Sequence, residues 1–224
     1  MLSKKMEAYI TKQGISIQFK NRVTAIGQSS TIIQDPKSME PKEISCVSVT
    51  VNGSDTILYP HVISTLPLPV LRTVNLNGAG LNVLQKNALR ALNYGPSVKI
   101  GILFKSDWWT TKLGIVGGQS FTDLPIRTIV YPSYGVDSDT PCKVLIASYC
   151  WTTDAYRLSA LGSIQDQEVL KELVLRNLAE AHGRVDSTIT YEYLKGEFVA
   201  MDVKDWNVDE YTMGSLSIPY VIPD

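Results

Sequence analysis

The chain has 224 residues, 44% of them hydrophobic, and its 21 Lys and Arg against 22 Asp and Glu leave a formal net charge of −1. That length accommodates one large domain or two small ones with a full core, and the basic residues are scattered, which excludes a nucleic-acid footprint. No apolar run is long enough for a membrane span, and the polar opening MLSKKMEAYITKQG reads as an amphipathic helix rather than a secretory signal.

Apolar residues at 2, 6, 9 and 10 predict a helix over residues 2–13, stopped by Gly14. A β-meander follows. Residues 15–19 alternate apolar and polar, and 22–26 form a second short strand. Residues 34–42, with Pro36 and Pro41, read as a loop. Residues 44–51 alternate again, Asn52-Gly53 signals a hairpin, and 56–59 return. A strand at 61–65 runs into Leu66-Pro67-Leu68-Pro69, which ends it. Residues 81–92 predict a helix. Strands are expected from Val98, at 127–131 and at 144–149.

The clearest helix is 165–182, whose apolar face carries Val169, Leu170, Leu173, Val174, Leu178 and Ala181, with Asp166 and Gly183 as caps. Residues 187–194, STITYEYL, alternate like a strand. Cys46, Cys142 and Cys150 lack metal-ligand spacing. Cys142 and Cys150 flank one strand, which disfavours a disulfide between them, so all three read as small buried apolar residues. Two histidines, His61 and His182, are too few for a zinc site or a histidine triad, so no metal is expected.

The densest signal lies in residues 97–135. Lys99 opens the apolar run 100–104, where an ammonium is costly to bury unless it is paired or snorkels to water along its stem. Downstream stand Trp108-Trp109, Gly117-Gly118-Gln119-Ser120, Thr122-Asp123-Leu124-Pro125 and Tyr131-Pro132. In order and spacing these words, led by Val98-Lys99-Ile100, resemble the flavin-dependent amine oxidases, most closely the L-amino acid oxidases.

The resemblance implies an α+β fold. A β-meander part of an FAD-binding domain would occupy 1–66, and a mixed β-sheet substrate-binding domain with flanking helices 67–211. Residues 212–224 would return toward the flavin. It further implies FAD as cofactor, and Asn21-Arg22-Val23 makes Val23 the expected adenine contact through its backbone. VISTLP at 62–67 puts Thr65 and Leu66 near the cofactor. Lys99 matches a lysine that holds a water beside flavin N5, where desolvation loosens its hold on a proton.

Tyr149, in IASYCWTTDA, matches the tyrosine that binds the substrate carboxylate, although Cys150 and Thr152 replace the family's glycines there. Residues 205–216 resemble its W-x-x-D-x-Y-x-x-G-G segment. That match makes Leu216 a wall of the substrate pocket and puts Trp206 in the domain junction. Asp123 is expected to cap the TDLP turn. No full G-x-G-x-x-G fingerprint occurs; the nearest stretch, Gly78-Ala79-Gly80, reads as a loop before a helix.

The chain therefore reads as an internal fragment of an oxidase that deaminates L-amino acids to 2-oxo acids, ammonia and hydrogen peroxide. Its partners would be a small amino acid, oxygen, and either the enzyme's remaining segments or a second copy. By itself it is expected to be inactive and, with apolar surface uncovered, poorly soluble. The competing readings are an amine or polyamine oxidase, an amino acid 2-monooxygenase, and a non-catalytic binding or assembly module.

Overall fold

The computed structural model describes residues 2–35, 39–135, 141–162 and 167–215. It mixes helices with antiparallel sheets and divides into two compact units, Met1–Ala91 and Leu92–Asp224.

In the first unit the predicted opening helix is α1 (Leu2–Lys12), which buries none of its residues. Residues 15–18 form no strand, contrary to their alternation: they find no partner, and Ile15 and Ile17 stay exposed. The meander is a three-stranded sheet in the order β1 (Val23–Gln34), β2 (Pro41–Val51), β3 (Asp55–Tyr59). Strands β1 and β2 run longer than their apolar alternation suggested, so the loop between them is shorter. The Asn52-Gly53 turn forms as expected, with φ of 53° and 79°, and the Asn52 side chain accepts the Arg22 amide at 3.0 Å. The strand expected at 61–65 is absent: with no neighbour to pair with, Ile63 is left 91% exposed.

Two short helices close the unit, α2 (Leu68–Leu71), which accommodates Pro69 in its first turn, and α3 (Val83–Ala91). A reciprocal pair starts α3: Gln85 N–H donates to Asn82 Oδ1 at 2.8 Å and Asn82 N–H to Gln85 Oε1 at 2.9 Å, satisfying two amides the helix itself cannot. Gly78-Ala79-Gly80 is indeed a loop. It hugs β1, with the Gln28 amide donating to Gly78 O at 2.7 Å, and a Cβ on Gly80 would lie 2.5 Å from the Gln28 side chain.

The second unit is built on β4 (Ser97–Phe104). Behind it come α4 (Trp108–Thr111), β5 (Gln119–Phe121), β6 (Thr128–Val130), β7 (Val144–Trp151), α5 (Thr152–Gly162), α6 (Glu168–Gly183), α7 (Tyr191–Glu197) and β8 (Phe198–Asp205). The strands form one sheet in the order β5-β6-β7-β4-β8. One face is packed: Val98, Ile100, Ile102 and Phe104 of β4 join Leu145 and Cys150 of β7 and Leu158, Leu170, Val174 and Leu178 of the helices in a continuous core. The Trp108-Trp109 pair belongs to that core, edge-on to Phe104.

Helix α6 turns its expected face inward, with Leu170, Val174 and Leu178 buried and Leu173 and Ala181 packed against the core; only Val169 is exposed, and Leu175, Asn177 and His182 widen the buried face, while Asp166 lies outside the described residues. The strand expected at 187–194 is instead the start of α7. Thr190 caps it by accepting the Tyr193 amide, which converts an alternating sequence into a helix N-terminus. Helix α5 and strand β8 had no expectation at all.

The three cysteines are free; Cys46 and Cys150 are buried, while Cys142 is half-buried.

Candidate functional site

Because alternate residues of β4 enter the core, Lys99, Gly101 and Leu103 emerge on the other, open face of the sheet. Lys99 stands directly opposite Tyr149 of β7, and its Nζ lies 4.4 Å from the centroid of the tyrosine ring. Trp151, two residues along the same strand, packs against that ring at 4.8 Å and 70°. A cation over an aromatic face contributes about 0.5–1 kcal/mol when partly exposed, enough to orient a flexible lysine. Neither the Lys99 ammonium nor the Tyr149 hydroxyl has a hydrogen-bond or ion-pair partner among the described residues. Two residues chosen separately from the sequence thus form one pair, and their polar ends are available.

On the other flank of β4, Lys99 faces Lys204 of β8. Lys204 is ion-paired with Asp209 and lies 4.8 Å over the Trp206 ring. Sequence reasoning missed Lys204 and Asp209 as members of this face. The alternation in FVAMDVKD was the available signal, obscured by the strand assigned just before it. Lys204 and Asp209 border a hollow of about 470 Å³.

The signature words of the sequence turn out to bind one another. Tyr131 N–H donates to Gly118 O and Gly117 N–H to Pro132 O, both at 3.1 Å, closing the β5–β6 hairpin. From that hairpin runs a buried hydrogen-bond chain. His182 Nδ1–H donates to Leu178 O at 2.7 Å, so Nε2 accepts the Tyr131 hydroxyl, also at 2.7 Å, and Tyr131 accepts the Ser120 hydroxyl at 2.9 Å. Burial pushes the His182 imidazolium to a lower pKa than usual and the Tyr131 phenol to a higher one. The chain borders a cavity of about 420 Å³ walled by Leu113, Ile115 and Leu124. Asp123, expected as a cap, is exposed and accepts no hydrogen bond among the described residues; the TDLP turn is closed instead by Thr122 N–H to Arg127 O and Arg127 N–H to Leu124 O.

The segment after β8 is held as its motif demands. Gly214 N–H donates to Trp206 O at 2.7 Å, and Gly214 sits at φ 136° where an added Cβ would lie 2.5 Å from Tyr94 Cβ. Trp206 is half-buried, and Leu216 lies outside the described residues.

In the first unit, Val23 opens β1 opposite Val51, half-buried, where the register slips before Ala25. Thr65 and Leu66 are exposed in the irregular stretch 61–67, and among the described residues no amide of 61–66 donates to a backbone carbonyl.

Residues 1–224 match the flavin containing amine oxidoreductase family, and the chain belongs to it. It is 48% identical over 221 residues to L-amino-acid oxidase 4 of Hebeloma cylindrosporum, covering 94% of this chain and 33% of that one. It is 37% identical to the L-amino-acid oxidase of Siganus canaliculatus, over 62% of this chain and 24% of the other. Cyclohexylamine oxidase from Brevibacterium oxydans shares the fold, with a TM-score of 0.66 at 12% identity over 95% of this chain and 39% of that one. The chain therefore spans a third or less of the length of these two curated relatives.

The family's flavin implies FAD. The residues present are compatible with such a group: the amides of 61–66, which among the described residues donate to no backbone carbonyl, are main-chain donors of the kind that would suit it.

Proposed function

We propose that the chain is the substrate-facing middle of an FAD-dependent oxidase that deaminates L-amino acids to 2-oxo acids, ammonia and hydrogen peroxide. The observation that carries this reading is the Lys99–Tyr149 pair, with both polar ends unpartnered on the open sheet face. The nearly half-identical L-amino-acid oxidase 4 supports an amino acid over a simple amine as substrate. Residues 1–66 would contribute to the FAD-binding domain and 67–211 to the substrate domain. Residues 212–224 would lead back, with Leu216 walling the pocket.

FAD, when bound, would supply the two-electron acceptor and the route by which those electrons reach oxygen. The Tyr149 hydroxyl donates to the substrate carboxylate, orienting the Cα–H bond; its ring is kept in place by Lys99 on one side and Trp151 on the other. The Lys99 ammonium would hold a water at the reacting centre and move a proton there. Covering the open face excludes bulk water and strengthens both interactions. The 224-residue chain alone would be inactive, lacking that cover.

The test uses the full-length enzyme, loaded with flavin. Lys99→Met should slow turnover by tenfold or more, as expected for loss of a proton-handling group worth about 10²–10⁴ in rate. Tyr149→Phe should raise KM for amino acids and leave decarboxylated amines unaffected. Equal use of an amino acid and its amine would replace this reading with an amine oxidase.

A further inference from the structure

Lys99 and Lys204 occupy directly opposed positions on antiparallel neighbours, so both ammonium groups leave the sheet on one face from Cβ atoms about 5 Å apart. Like charges so placed repel, and the structure draws them apart. Lys99 leans over Tyr149 on the β7 side. Lys204 turns the other way, over Trp206, into an ion pair with Asp209.

Asp209 is fixed for this task. Its Oδ1 accepts the Tyr211 amide at 3.0 Å and the Thr212 hydroxyl at 3.2 Å, leaving Oδ2 to Lys204. Its side chain is 12% exposed against 45% for Lys204. The hydrogen bond from Lys204 holds the Asp209 carboxyl below its ordinary pKa, so it stays anionic near neutrality. On the strands paired with β4, the remaining described titratable groups opposite its open-face positions are Tyr149 from β7 and Asp202 from β8, the latter opposite Gly101.

We propose that Asp209 is a positioning residue for Lys99: by neutralising and anchoring Lys204, it keeps a second cation from governing how readily Lys99 holds its proton. The inference rests on the reading that Lys99 handles the proton in the reaction, and it gives the acidic residue of the W-x-x-D-x-Y segment an electrostatic role beyond its turn.

The 224-residue chain itself carries the test. Lysines are acylated competitively with trace acetic anhydride and the rate at each is read by mass spectrometry. Asp209→Asn keeps an oxygen for the Tyr211 amide and the Thr212 hydroxyl while removing the charge. It should raise Lys99 acylation up to about twofold at low salt, the effect of one unit charge about 10 Å away in a water-like dielectric. Lys204→Gln should lower it, and the double variant should return it to the parent rate. At about 1 M salt the differences should collapse.

An unchanged Lys99 rate in Asp209→Asn, or a double variant that stays fast, overturns the proposal. So does a parallel rise at Lys171, which reports loosening of the whole unit and a merely structural Asp209. The functional reading fails separately: a Lys99→Met full-length enzyme with the parent rate refutes it while the acylation coupling stands.

Discussion

Tyr131→Phe tests whether the family's signature words are held together by the buried chain that runs to His182. The substitution removes one oxygen and little volume. It deprives His182 Nε2 of its donor and the Ser120 hydroxyl of its acceptor, in a site where His182 is only 4% exposed. Stranding a buried acceptor costs about 1–3 kcal/mol and a lost neutral hydrogen bond about 1 kcal/mol, so a loss of about 2–3 kcal/mol is expected. For a chain of this size that lowers Tm by roughly 5–10 °C. Urea unfolding followed by tryptophan fluorescence is a suitable assay, because the Trp108 ring packs edge-on against His182 at 4.9 Å. Ser120→Ala should cost less, about 1 kcal/mol, since Tyr131 keeps its bond to His182. The double variant should then cost less than the sum, because the two share one bond. A loss under about 0.5 kcal/mol in Tyr131→Phe, with intact m-value, would sink the argument and reduce the chain to incidental proximity.

The same histidine sets a pH dependence. Burial lowers its pKa from 6.5, so the unfolded chain takes up the proton first; its stabilising contribution is complete above 6.5 and is lost as pH falls below it, which urea midpoints at several pH values would register. His182→Gln should flatten that slope. Thr152→Gly should raise stability by about 0.5–1 kcal/mol, because a β-branched residue now sits at φ 56° between β7 and α5, where glycine is at ease; no rise in urea midpoint would mean the strain is relieved elsewhere. Gly214→Ala should cost about 2 kcal/mol or more and lower the yield of folded chain, since its Cβ meets Tyr94 at 2.5 Å. A folded variant of parent stability would show that the Tyr94 loop yields.

How far the fold could be read from sequence depended on where the controlling contacts lie. The strands at β4 and β7 announce themselves as short apolar runs, which do not say which face packs, so only the burial along them shows that Lys99 and Tyr149 share the open face. Their pairing required a register, and the register depends on an irregularity between Ile100 and Gly101 that no local pattern records. Residues 187–194 misled because Thr, Ile and Tyr favour strands, whereas the Thr190 hydroxyl oxygen, accepting the Tyr193 amide, decides for helix. Helix α5 was hidden by Thr152-Thr153 at its start, residues that advertise a continuing strand.

His182 read as a helix-end residue because its partner, Tyr131, is 51 positions away. The departures from the family at Cys150 and Thr152 were legible and physically meaningful. The first is absorbed as a buried thiol near Ser148 and the Ile126 carbonyl, the second as backbone strain.

The three-stranded sheet of the first unit has a consequence for how the chain opens. Its buried apolar side chains among the described residues are Cys46, Val49 and Val74, while α1 buries none. The second unit encloses a continuous core of twenty buried residues. Opening free energies follow enclosed apolar area, so amide exchange should be fast and nearly uncooperative across the described residues of the first unit and slow across β4, β7 and α6. If the first unit holds FAD as proposed, its least protected segment is the one that cofactor binding would order, and flavin affinity and the folding of that unit would be one equilibrium measured from two ends.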